Sequence, residues 1–126
     1  MLVKIDTKEK FHVITLNSTN IAANMTADMD KSLLSILQND VKNVVLNLKD
    51  IHSIDNAAAE KLVSIQQAFY ENDASFVIFG LNPTVEKTLD ESDLLSIMNV
   101  APTESEASDI VLMETIEREL FDEGLD

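Results

Sequence analysis

The sequence predicts one α/β domain with a mixed β-sheet of four to five strands and about four helices, in the order ββαβαβα(β)α. Two segments, 1–6 and 11–16, alternate apolar and polar residues around the polar turn TKEK, which predicts a β-hairpin. A short, nearly continuous apolar run, VVLNL at 44–48, is typical of a central strand that is covered on both faces. Strand and helix patterns alternate along the rest of the chain, which predicts right-handed crossovers and helices packed on the sheet.

A polar loop, NSTNIAAN at 17–24, leads from the hairpin into the first predicted helix. Thr26 is the predicted N-cap of this helix, because Asp28 and Asp30 then stand in its first turn, where the helix dipole favours acids. The residues expected to face inward are Met29, Leu33, Ile36 and Leu37.

The second half of the chain contains three more predicted helices. The first of them is expected over 57–71, where apolar residues recur at the spacing of one helical face. A strand at 75–80 follows, and Asn82-Pro83 then supplies the N-cap and first residue of a short helix. The segment 94–100 predicts a short edge strand or an extended link. The last helix begins with a capping box at Thr103, and one side of it carries Ile110, Met113, Ile116 and Leu120.

The domain is expected to span residues 1–121, with 122–126 as a short acidic C-terminal tail. A chain of 126 residues is long enough for one core that hides roughly two-thirds of the surface of the unfolded chain. No apolar run approaches the ~18 residues that a membrane span needs, and the first residues lack the pattern of a signal peptide. We therefore expect a cytoplasmic protein without direct membrane insertion.

The charge balance narrows the classes of partner. Nine Lys and Arg against 23 Asp and Glu give a formal net charge of −14, and no basic cluster occurs in the sequence. Nucleic-acid binding normally rests on cations that replace phosphate counterions, so we expect none, and the same repulsion disfavours anionic membranes. A basic partner protein is compatible with this charge, which solubility alone would also explain.

The residues of enzyme chemistry are nearly missing from the sequence. Neither histidine, His12 or His52, has a second ligand at the spacing of a zinc site. Cysteine is absent, and two glycines are too few for a phosphate-binding loop or a dinucleotide fingerprint. The acidic segment DESD at 90–93 lacks the ligand spacing of a calcium loop. The sequence therefore indicates a non-enzymatic binding module, with no cofactor and no metal.

The junction HSIDNAAAEKL, at 52–62, combines a possible helix cap with a possible docking surface. Asp55 or Asn56 is expected to cap the following helix, which is worth about 1 kcal/mol. The three alanines are good helix formers that let the first turn lie close to neighbouring backbone. A helix start with small side chains also presents accessible backbone on which another protein can dock.

Residues 40–100 resemble the STAS domain of the bacterial anti-sigma-factor antagonists. In that family a strand ends in aspartate-serine-serine-or-threonine-glycine, and a leucine-x-x-x-glycine-leucine segment follows later. Ile54 and Asp55 match the end of the strand, and the segment from Leu89 to Leu94 matches the later motif, with Asp93 where glycine is usual. The resemblance implies the STAS fold for the chain.

The resemblance also implies a function and a departure from it. In the family, the serine after the aspartate is phosphorylated by a kinase that is also the anti-sigma factor, and phosphorylation ends binding. The matching residue here is Asn56, which has no hydroxyl, so binding to an anti-sigma factor or related kinase-like switch protein is expected without that switch. Ser18, Thr19 and Ser53 are alternative hydroxyls nearby. The expected partner-binding residues are Thr19, Asn20, Asn24, Asp55, Asn56, Ala57, Ala58, Ala59 and Glu60.

Two other functions stay open on the sequence. One is a structural STAS subunit of a larger assembly, either a stressosome-like scaffold or a lipid-transport ATPase complex. The other is sensing of a small molecule or nucleotide at the helix start, against which the lack of glycines and nearby cations argues. No pattern in the sequence specifies an oligomeric state.

Overall fold

The structure, a computed structural model, describes residues 3–124, with the side chains of residues 3–121. Its strands are β1 (Val3–Thr7), β2 (His12–Leu16), β3 (Asn20–Ile21), β4 (Val44–Asn47), β5 (Ser53–Ile54), β6 (Phe76–Phe79) and β7 (Val100–Ala101). Its helices are α1 (Thr26–Leu34), α2 (Asn56–Glu71), α3 (Pro83–Glu91) and α4 (Glu104–Gly124). Short 3₁₀ turns occur at Ala23–Met25, Ser35–Gln38 and Leu95–Ile97.

Five strands form the predicted mixed sheet, in the order β1-β2-β4-β6-β7. The β1–β2 hairpin is antiparallel, and the other pairs in this sheet are parallel. The element order confirms the predicted ββαβαβα(β)α arrangement, and the doubtful last strand is β7, paired with β6. A second, two-stranded sheet joins β3 to β5. It lies partly within residues 17–24, where the sequence predicts a loop.

The sheet separates two apolar cores, as the apolar run at 44–48 predicts. On one face, Leu46 and Ile78 pack with the buried residues of α1, α2 and α3. On the other face, Val45 and Val77 pack against α4 through Val111. All five of these side chains are completely buried. Successive residues of a strand point to opposite faces, so a strand covered on both sides must be apolar at every position.

The first predicted helix needs a correction at its start. Thr26 is the first helical residue and not the N-cap, and its hydroxyl donates to the carbonyl of Ala23 (2.9 Å). Met29, Leu33 and Ile36 of the predicted inward stripe are buried, whereas Leu37 is half-buried. The helix tightens into a 3₁₀ turn after Leu34, and this turn still directs Ile36 into the core.

Helix α4 divides the apolar set that the sequence places on one side of it. Ile110 is half-buried and packs against the core beneath α4. Met113, Ile116 and Leu120 are 60%, 54% and 61% exposed. The sheet-facing positions are instead occupied by Ala107 and Val111, and then by Thr115 and Arg118, which contact Asn43. The backbone of 122–124, within the predicted tail, continues the helix, and residues 125–126 lie outside the described part of the chain.

Two helices end in the same turn, with an aspartate in a left-handed conformation. Asp73 after α2 and Asp93 after α3 both have a φ of 58°. After α3, the N–H of Leu94 donates to the carbonyl of Leu89 (2.9 Å), and the N–H of Asp93 donates to that of Asp90 (3.1 Å). These are the two bonds of a Schellman motif, in which glycine is the usual left-handed residue. The geometry explains why the position of Asp93 is a glycine position.

We expect Asp93→Gly to raise the free energy of unfolding by about 1 kcal/mol. Glycine relieves the strain of positive φ, and the substitution removes an acid from the negative end of the helix dipole. Urea denaturation measures the change. The matched control is Asp90→Gly in the last turn of the same helix, which removes the same charge but replaces a residue of ordinary helical conformation. The loss of helix propensity offsets the gain, so the free energy of unfolding should change by less than about 0.5 kcal/mol. Destabilisation by both substitutions would contradict the role given to Asp93.

A hydrogen-bond network ties the C-terminal half of α2 to α4 and to Asn99, the residue before β7. The hydroxyl of Tyr70 donates to the carboxylate of Glu114 on α4 (2.7 Å) and accepts from the side-chain amide of Asn99 (2.6 Å). The backbone N–H of Asn99 donates to Gln66 on α2 (2.8 Å). Burial, and then the hydrogen bond to Glu114, raises the pKa of Tyr70 to about 12. The folded chain therefore holds the phenolic proton more tightly than the unfolded chain does.

This shift predicts a titration that can be observed directly, because Tyr70 is the only tyrosine and the chain has no tryptophan. The near-UV absorbance of tyrosinate should rise with a midpoint near pH 12, against about 10 for a free tyrosine. The stability that this group contributes is complete below about pH 10 and is lost as the pH rises towards about 12. Glu114→Gln should lower the midpoint without bringing it to 10, since burial is the larger cause. A midpoint of 10 in a sample that circular dichroism shows to be folded would contradict the network.

Candidate functional site

The candidate site lies at the edge of the sheet where the parallel strands end. Helices α1, α2 and α3 all follow strands that end at this edge, so their N-terminal ends gather there. Ligands of open α/β sheets bind at this edge for the same reason. Gly80, directly after β6, has a φ of 76°, and a Cβ on it would lie 2.5 Å from Cγ of Lys49. Glycine therefore allows the segments after β4 and β6 to approach each other closely.

The short β3–β5 sheet brings the 18–24 loop against the start of α2. Asn20 pairs with Ser53, and Ile21 pairs with Ile54. The pairing is extended by backbone bonds at both ends, from the N–H of His52 to Thr19 (2.6 Å) and from that of Asp55 to Ile21 (2.9 Å). Two segments more than thirty residues apart in sequence thus form one continuous surface.

Asp55 makes a contact across this surface that the sequence does not predict. By position it is the N-cap of α2, but its carboxylate oxygen Oδ2 accepts the backbone N–H of Ala23 in the opposite segment (2.9 Å). The side chain of Asp55 therefore does not cap α2 but holds the turn before α1, and we call this contact the clamp. Carboxylates that accept from backbone N–H groups form strong hydrogen bonds, and this one joins two segments that share a solvent-exposed face.

Two further contacts, neither of which the sequence predicts, connect the site to α3. The hydroxyl of Ser92, at the end of α3, donates to Oδ1 of Asn56 (3.0 Å). The side-chain amide of Asn82, the N-cap of α3, lies 3.2 Å from Nδ1 of His52. The acidic segment DESD, which contains Ser92, comprises the last two residues of α3 and the first two residues of the turn that follows it. The position of Asn82 after a strand was the available signal, because parallel strands end at one edge.

Two of the predicted partner-binding residues do not lie on the surface. Ala58 and Ala59 are completely buried in the core, so their side chains cannot contact a partner, and they serve to let α2 lie close to the sheet. Among the alternative hydroxyls, that of Ser18 donates to the backbone of Asn20 (2.8 Å), whereas Ser53 is exposed. The remaining predicted residues are all exposed on this face: Thr19, Asn20, Asn24, Asp55, Asn56, Ala57 and Glu60.

The site offers small side chains, amides and two carboxylates on an exposed face. In the described part of the chain, no three His, Asp or Glu residues converge in a way that could hold a metal ion. None of the helices between Val3 and Gly124 is both long enough and apolar enough to cross a bilayer. The groups present can donate and accept hydrogen bonds to a docked surface, and the backbone between them is shielded by short side chains only.

Comparison with known proteins agrees with this geometry. The STAS domain family model matches residues 3–107. A candidate anti-sigma factor antagonist from Thermotoga maritima has 22% sequence identity and a TM-score of 0.73, over 86% of this chain and 93% of that chain. A serine-to-glutamate variant of RsbS from Moorella thermoacetica has 22% identity and a TM-score of 0.73, over 92% and 97%. The unphosphorylated anti-sigma factor antagonist SpoIIAA has 20% identity and a TM-score of 0.68, over 87% and 96%.

The chain belongs to the STAS domain family, because the family model covers most of its length. The solved structures, at 22% identity or less, show that the fold is the same. This confirms the fold that the motif around Asp55 implies.

We expect Asp55→Ala to loosen the turn before α1 and to lower the free energy of unfolding by about 1 kcal/mol, the usual contribution of one hydrogen bond. The amide of Ala23 should exchange with solvent faster, as measured by hydrogen exchange and NMR. Asp55→Asn keeps an oxygen acceptor and should retain most of the protection. Asp50→Ala, which removes the same charge from a neighbouring exposed position, is the matched control and should change neither quantity. Unchanged exchange at Ala23 in Asp55→Ala would show that the clamp does not order the turn.

Proposed function

We propose that this STAS domain is a non-enzymatic, cytoplasmic regulatory module that binds an anti-sigma factor or a related kinase-like switch protein. The binding surface comprises the start of α2 and the 19–24 segment. The observation that carries the proposal is the hydrogen bond from the N–H of Ala23 to the carboxylate of Asp55, which holds the turn before α1 beside the start of α2 on one exposed face. The relatives named above as anti-sigma factor antagonists support the same class of function.

Asn56 gives the proposed binding its particular character. It is exposed at the first residue of α2, where the family resemblance expects a phosphorylated serine. An asparagine is neutral and has no hydroxyl, so the partner's kinase activity cannot place a phosphoryl group there. A phosphoryl group would add roughly −1.5 to −2 charge and disrupt docking. We therefore propose that adding ATP does not dissociate the complex, because residue 56 cannot be phosphorylated.

A second candidate is a structural STAS subunit of a larger assembly, a stressosome-like scaffold or a lipid-transport ATPase complex. Such a subunit needs more than one contact surface. The exposed apolar residues of α4 favour this candidate, because they lie on a different element from the proposed docking face. Co-purification with a transporter ATPase subunit or with a megadalton particle would distinguish it from a regulator that binds a small kinase.

The test uses the purified chain and the serine-kinase anti-sigma factors of its source organism, with and without ATP. We expect a complex in size-exclusion chromatography that persists with ATP, and an intact mass of this chain that ATP leaves unchanged. Asn56→Ser should gain one phosphate and lose binding when ATP is added. An added phosphate on the unaltered chain would contradict the proposal that this chain lacks the phosphorylation switch.

The docking surface is tested by a pair of arginine substitutions on one face of α2. Ala57→Arg projects a large side chain from the exposed first turn and should abolish the complex. Ser64→Arg lies two turns further along the same face, about 10 Å away, and should leave binding intact. Equal effects of the two substitutions, or the absence of labelling in Asn56→Ser, would count against this surface.

A further inference from the structure

The outer face of α4 is apolar, although this helix already buries its opposite face in the sheet. Met113, Ile116 and Leu120 recur at spacings of three and four, which place them on one side of a helix. Phe121 and Leu112 flank this row and are 66% and 37% exposed. We call these five residues the α4 stripe. Contiguous exposed apolar side chains on one helix face are typical of a protein interaction surface.

The contacts of α4 with the sheet hold the α4 stripe facing outward. Val111 of the same helix is completely buried against the sheet. Arg118 donates to Oδ1 of Asn43 (3.2 Å) and to the hydroxyl of Ser75 (3.1 Å), and Tyr70 holds Glu114. These contacts fix the rotation of α4 about its axis, so the stripe cannot turn inward without breaking them.

The charges around the stripe indicate the chemistry of its occupant. Asp109 and Glu117 lie one turn on either side of Met113, and Glu119 lies three residues from Ile116. These three acids, which lie among and beside the apolar side chains of the stripe, are called the acidic border. Arg118 is the only basic residue of α4, and its guanidinium is engaged on the sheet side.

A cleft beside the stripe continues the acidic border. This cleft, of about 950 Å³, is shared by α4, the C-terminal end of α2 and the segment before β4, and Phe121 of the stripe forms part of its wall. Lys10, Lys42 and Arg118 are its bases. Its acids outnumber them twofold: Glu9, Asp40, Asp73, Glu114, Glu117 and Glu119.

We propose that the α4 stripe is a second docking surface, and that its occupant is a basic amphipathic helix of a partner protein. The partner's apolar residues pack against Met113, Ile116 and Leu120, and its Lys or Arg side chains face the acidic border and the cleft. Amphipathic helices dock on partner surfaces through apolar residues spaced three and four apart, which is the spacing of the stripe. A second copy of this chain fits less well, because pairing two α4 stripes would bring acids against acids.

The test uses a synthetic basic helical peptide of about 18 residues, long enough to form a helix on binding, with leucines at the spacing of the stripe and lysines beside them. Fluorescence anisotropy of the labelled peptide should show binding to the full chain at micromolar concentration, weakened by added salt. Ile116→Gln combined with Met113→Gln should weaken binding at least about tenfold, the equivalent of 1.4 kcal/mol. Both substitutions conserve the net charge.

The matched control is Ile5→Gln on β1, a similarly exposed isoleucine (47%) outside the stripe, which should change the affinity less than about twofold. Equal urea midpoints ensure that all variants are folded. Failure of the peptide to bind, or equal weakening by the control, would overturn the proposal. A dimer in analytical ultracentrifugation that the double substitution abolishes would also overturn it, in favour of a second copy as the occupant.

Discussion

Burial of strand β4 on both faces is the constraint on which the rest of the structure depends. Val44, Val45 and Leu46 are all completely buried, between β2 and β6 within the sheet and between two helical layers across it. A parallel strand in this position requires crossover helices, and their handedness decides which helix covers which face. The parallel arrangement of the strands also places the N-terminal ends of α1, α2 and α3 at one edge of the sheet. The candidate site lies at this edge because these helix ends are next to each other there.

At that edge, the carboxylate of Asp55 orders the exposed turn that lies beside the start of α2. Asp55 belongs to the segment after β4, and Ala23 belongs to the turn before α1. The β3–β5 pairing brings these segments together, and the carboxylate fixes the exposed turn beside it. Asn56 accepts a hydrogen bond from the hydroxyl of Ser92, at the end of α3. Asp55, the N-cap of α2 by position, therefore joins two segments through its side chain, and the neighbouring Asn56 connects them to a third.

Several features were predictable because local pattern and tertiary environment agree. The apolar run of β4, the helical face of α2 and the Asn82-Pro83 start of α3 are local signals with one reading each. The β3–β5 sheet was not predictable, since a pair of two-residue strands has no periodicity to detect. For α4, the row of Met113, Ile116 and Leu120 indicates an apolar helix face but not the direction in which it points.

The sequence by itself determined the element order, the doubly covered central strand, the family motif around Asp55 and the absence of a hydroxyl at position 56. These follow from residue type and spacing, which are local. Only the tertiary structure decided that Asp55 clamps Ala23, that Ala58 and Ala59 are buried, and that the α4 stripe faces outward. Each of these depends on which distant segment lies opposite, and the packing of the two helical layers on the sheet supplies that information.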